Sequence, residues 1–61
     1  MVEKIYYIEN TNELNDAMDA IEQGFPCFTE RELIEMDYSK ITIKAREEDI
    51  KHIEEILAPL V

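Results

Sequence analysis

Along this chain the spacing of apolar residues alternates between a period of two and one of roughly 3.6, and each switch delimits an element. Residues 2–8, VEKIYYI, are rich in β-branched and aromatic types and predict a strand. Ile5 and Tyr7 would share one side of it, with Lys4, Tyr6 and Ile8 on the other. Leu14, Ala17, Met18 and Ile21 then fall at i, i+3, i+4 and i+7, one apolar face of a helix. Asn10 is placed to cap it, with Glu13 completing a capping box. Gly24, the only glycine, is expected to close the helix in a left-handed conformation, and Pro26 forbids its continuation.

Farther on, KITIKA (40–45) alternates cleanly, with Ile41, Ile43 and Ala45 on one face and Thr42 and Lys44 on the other, which predicts a half-buried strand. The preceding CFTERELIEM has two readings. As a strand it would pair with KITIKA in a hairpin through an Asp37–Tyr38–Ser39 turn, which needs no long crossover. As a short helix from Glu30 to Met36 it would start at the capping box Thr29-x-x-Glu32. The hairpin is favoured.

The final helix opens on Glu47, Glu48 and Asp49, negative charge at the positive end of a helix dipole. Ile50, Ile53, Leu57 and Leu60 make its buried stripe, with Ile56 beside it, and Pro59 ends it. The order β-α-β-β-α predicts a single α+β domain over residues 1–61. It is a two-layer sandwich, ferredoxin-like but lacking the fourth strand. Such a layout leaves a sheet edge and a sheet face uncovered, both open to a second copy. Tyr6, Ile8 and Phe28 are the expected association surface.

In these features the chain resembles a family of small bacterial domains described as signal-transducing and of unknown function. The likeness lies in the KIYYIEN strand, the helix ending in the corner GFP, and the closing ITIKAREEDIKHIEEIL. It covers nearly the whole length and implies the fold. It brings no catalytic residues. Other split ferredoxin-like modules are similar too, including regulatory domains that bind small ligands between subunits.

Composition narrows the function classes. A domain this size buries only about 60% of its unfolded surface, and a single cysteine excludes an intrachain disulfide. Self-association is the remaining support, so a homodimer is expected. An apolar share of 46% is that of a folded protein. Fifteen acidic residues against six basic ones give a formal charge of −9. That repels nucleic-acid backbones and anionic membranes and attracts basic protein partners. No apolar run approaches a membrane span, and MVEKIYYIEN has no signal-peptide cleavage site. With a lone thiol, a cytoplasmic location follows.

Candidate chemistry is sparse. Cys27, in GFPCF, reads as a small packed hydrophobe, because a nucleophile would need a base and an electropositive setting. His52 lies near Glu48 and Glu55 and lacks the second His or Cys of a metal site. A Cys27–His52 dyad has no third partner. Asn10-x-Asn12-x-Leu14 puts a leucine where a calcium loop needs a ligand, and one glycine cannot build a phosphate loop. No enzyme, cofactor or metal is therefore expected. The acidic residues are the exception: Glu13, Asp16, Asp19 and Glu22 run at i+3 steps along the first helix. They read as a solvated face, or as carboxylates standing in for phosphates in an acidic inhibitor, phage-borne for instance, of a nucleic-acid-binding or defence protein. A non-catalytic binding or regulatory module, docking a protein or a small ligand, is the leading expectation.

Overall fold

A computed structural model describes all residues, 1–61. In chain order it contains β1 (Val2–Glu9), α1 (Asn12–Gly24), β2 (Cys27–Glu35), β3 (Tyr38–Ala45), α2 (Glu47–Leu57) and a 3-10 turn over Ala58–Leu60. The α+β class and the β-α-β-β-α order are those the sequence predicts. The three strands form one antiparallel sheet in the order β1-β3-β2, with β3 at its centre, where its inward residues Ile41, Ile43 and Ala45 are fully buried.

One face of the sheet carries both helices. Ile41, Ile43 and Ala45 of β3 and Ile8 of β1 meet Leu14, Met18 and Ile21 of α1 and Ile50, Ile53 and Leu57 of α2 in a single buried cluster. These are the predicted helical stripes. Removing their apolar surface from water is the main force holding the two layers together. Leu60 and Ile56 pack at the margin. No helix is long and apolar enough to cross a membrane.

Residues 27–35 settle as a strand. Cys27 pairs with Ala45, Thr29 with Ile43 and Arg31 with Ile41, so the segment hydrogen-bonds to β3 along one side and the helical alternative is lost. The turn is Met36–Asp37 rather than Asp37–Tyr38–Ser39. The register slips between Leu33 and Glu35, which makes room for one extra residue, Ile34.

Three local expectations are corrected. The cap of α1 is Thr11, whose Oγ1 accepts the Leu14 N–H at 3.2 Å. Asn10 is occupied elsewhere, its Oδ1 accepting from Ser39 Oγ (2.5 Å) and Arg31 Nη2 (2.9 Å). Gly24 is not left-handed; no residue has a positive φ, and the chain leaves the helix through Phe25 in extended conformation. The third correction concerns β1. Ile8 is buried and Tyr6 half-buried against the helices, whereas Ile5 and Tyr7 face solvent. Register imposes this: Tyr6 is opposite Ile41 and Lys4 opposite Ile43, both core residues, and opposed residues share a face.

Candidate binding surface

The sheet face turned away from the helices is laid out by the register. Glu3, Lys44 and Phe28 form one row across the three strands, Ile5, Thr42 and Glu30 the next, and Tyr7, Lys40 and Glu32 the third. Tyr38 closes the face beside Glu9. Four large apolar side chains therefore stand in water on a bare face, Phe28 at 69%, Tyr7 at 59%, and Ile5 and Tyr38 at 45% exposure each. Monomeric proteins seldom leave such side chains grouped. The lysines of β3 run down the middle, and Lys44 Nζ lies 3.7 Å from Glu3 Oε2. Beside Phe28 a shallow groove of about 350 Å³ is lined by Met1, Glu30, Thr42 and Lys44.

Of the expected association residues, Phe28 lies on this face and Tyr6 and Ile8 do not. The Tyr6 hydroxyl is buried without a hydrogen-bond partner. Burial, and then the nearby Glu54 charge, push it above the usual tyrosine range. Ile5 and Tyr7 were the residues to find, and the signal was present. They share their parity with Glu3 and Glu9, whereas only Lys4 marks the other side. A lysine can bury its stem and keep its ammonium wet at the sheet margin; Lys4 does so, its Nζ 3.6 Å from Glu54 Oε1.

The acidic residues of α1 are exposed, but not as one stripe. Steps of three residues turn the helix by about 300°, so the four carboxylates wind across its outer half and end on opposite flanks. Glu22 accepts from Thr29 Oγ1 at 2.6 Å. None of the four is in an ion pair. Asp19 and Glu22 line a second shallow cleft, about 360 Å³, with Asn15, Met18, Thr29 and Arg31. Arg31 donates there to Asn15 Oδ1 (2.8 Å) as well as to Asn10, clipping β2 to α1 and to the loop before it.

Cys27 is half-buried with its Sγ 3.9 Å from the Ile21 carbonyl. Burial first, then the charges of Glu22 and Asp49, raise its pKa and keep the thiol protonated. His52 lies against Phe25, the rings stacked nearly parallel with centres 6.2 Å apart. No three His, Cys, Asp or Glu side chains are grouped to hold a metal ion. Comparison with protein-family models, curated proteins and solved structures found no match.

Proposed function

We propose that this chain is a non-catalytic, cytoplasmic binding module that assembles as a homodimer through its sheet and acts by protein–protein contact on the sheet's open face. The observation that carries the reading is the group Ile5, Tyr7, Phe28 and Tyr38, held in solvent on the one face without a second layer. Aromatic side chains of this kind anchor interfaces because they bury large area at little entropic cost. The groove beside Phe28 offers a small ligand a place on the same face. A protonated thiol among carboxylates supports a non-catalytic role for Cys27. A regulatory task fits the resemblance to signal-transducing domains.

A second reading has one observation in its favour: α1 carries four exposed acids and no base, so it can present carboxylates to a basic groove. One experiment separates the two. The immobilised protein captures partners from the source cytosol, and they are eluted with increasing salt. The comparison is with Tyr7→Glu/Phe28→Glu and with Glu13→Gln/Asp16→Asn/Asp19→Asn/Glu22→Gln. A salt-resistant partner lost only from the first variant supports the sheet face. A salt-sensitive, nucleic-acid-handling partner lost only from the second overturns that reading in favour of the acidic inhibitor.

A further inference from the structure

The homodimer invites a sharper statement about which part of the sheet pairs with itself, one that rests on the reading just given. A centred face-to-face dimer lays β3 on β3 of the partner subunit, because β3 is the middle strand. That sets the Lys40 and Lys44 column against its own copy, like charges in an interface that excludes water. The face is thus better suited to another protein, and the two sheet edges remain.

The edges differ. A two-fold axis through an antiparallel strand pair must pass through a residue position, since opposed residues share a face. On the β2 edge, centring on Glu30 or on Glu32 opposes that carboxylate to itself. Centring on Arg31 opposes arginine to arginine and Glu30 to the partner's Glu32 twice. Centring on Thr29 meets no like charge but runs into Pro26 and pairs only the stretch Cys27–Arg31, and centring on Leu33 draws the bulge at Ile34 into the ladder. The strand is also irregular near its end, where the register slips at Ile34. Charges and bulges are how edges avoid pairing. Over this edge sits α1, tied to β2 by Glu22–Thr29 and Arg31–Asn15, so two all-acidic helices would meet as well.

β1 is guarded more lightly, by the charges of Glu3, Lys4 and Glu9 but by no bulge. It pairs with β3 residue for residue from Val2 to Glu9, without a slip and without proline. Along its outer rim alternate residues turn N–H and C=O to solvent. Centring a two-fold on Tyr6 would oppose Glu3 to the partner's Glu9. Centring on Ile5 opposes Ile5 to the partner's Ile5, Lys4 to the partner's Tyr6, Glu3 to the partner's Tyr7 and Val2 to the partner's Ile8. No like-charge pair remains between Val2 and Ile8 in that register. Beside β1 lies α2, held by Lys4–Glu54, and the groove between them is lined by Val2, Ile50, Lys4, Lys51, Glu47 and Glu54. The helix flank that would face its copy is therefore mixed in charge, unlike that of α1.

We infer that two copies pair antiparallel along β1, with the two-fold axis at Ile5, into a continuous six-stranded sheet whose helices share one side. The open faces then merge into one, doubling the surface that carries Ile5, Tyr7, Phe28 and Tyr38. Only 12 of 61 residues are buried in one copy, so the added ladder matters for a domain this small.

The test is oxidative cross-linking in full-length protein carrying Cys27→Ser, with Ile5→Cys or Tyr7→Cys added, beside analytical ultracentrifugation of the parent. Opposed residues in an antiparallel ladder lie about 4.5–5.5 Å apart at Cα, within the disulfide span of about 4.4–6.8 Å. In this register the two copies of position 7 are offset by four residues, about 13 Å. The expected result is a parent dimer, a disulfide-linked dimer from Ile5→Cys and none from Tyr7→Cys. Ile5 is partly exposed outside the core, so Ile5→Lys keeps the fold, checked by circular dichroism, and gives a monomer. A dimer in which Ile5→Cys does not cross-link, or Tyr7→Cys does, overturns the β1 pairing and leaves the homodimer standing. A parent that stays monomeric at millimolar concentration overturns both.

Discussion

Gly24→Ala is the sharpest small perturbation available in this molecule. Gly24 is the last residue of α1, is exposed, and has no positive φ. A Cβ built on it meets nothing within 4 Å. Alanine therefore enters without strain and removes backbone freedom that glycine enjoys in the unfolded chain. In a helix interior the exchange stabilises by about 0.5–1 kcal/mol. At the final residue, where the helix frays, the lower end applies, about 0.5 kcal/mol. For a domain of this size that raises Tm by about 2–4 °C. Thermal unfolding followed by circular dichroism, at fixed protein concentration so that dimerisation does not move the midpoint, measures it directly. D-alanine at the same position, introduced by chemical synthesis, favours the left-handed region and should lower Tm. Were the L-variant destabilised by about 1 kcal/mol and the D-variant stabilised, Gly24 would be a left-handed cap and this account of the helix end would be refuted.

Asn10→Ala should cost about 1–3 kcal/mol in urea unfolding, because it strands the buried Ser39 hydroxyl and frees Arg31. The neighbouring exposed Asn12→Ala should cost little, and equal losses at the two sites would contradict the clip. Tyr6→Phe deletes a buried hydroxyl that has no partner and should be neutral or stabilising by up to about 1 kcal/mol. Because the folded state holds the Tyr6 proton above its ordinary value of 10.0, that group's contribution is complete below pH 10 and is lost as pH rises through the folded value. Alkaline destabilisation should accordingly be weaker in Tyr6→Phe; an unchanged alkaline limb would count against the burial of that hydroxyl. Cys27, its thiol held above 9.0, should react with iodoacetamide at pH 8 more slowly in the folded protein than in urea, and equal rates would show an accessible thiolate.

How far the chain disclosed itself depended on whether one face of each element was clearly apolar. In α1 the stripe Leu14, Met18, Ile21 stands among acids and amides, and in α2 Ile50, Ile53, Leu57 stands among charges. One rotation of each helix buries carbon and keeps charge wet, so both helices and their inward faces were legible. KITIKA has one alternation and one possible face. With the β-branched and aromatic run VEKIYYI, these patterns determined the α+β class and four of the five elements.

Elsewhere the choice was tertiary. VEKIYYIE is apolar or aromatic on both sides, so its own pattern is nearly indifferent to which face goes in. The decision fell to pairing with β3, where a one-residue slip would have put Ile5 and Tyr7 under the helices instead of Tyr6 and Ile8. Residues 29–36 carry a helix start and a strand composition at once, and became a strand because β3 needed a partner on its second side. Asn10 and Thr11 can both cap. Only the fold placed Ser39 and Arg31 within reach of Asn10 and left the task to Thr11. Local periodicity sets what each segment can bury by itself; which of two equivalent faces is buried is decided by hydrogen bonds and contacts with segments far away in the chain.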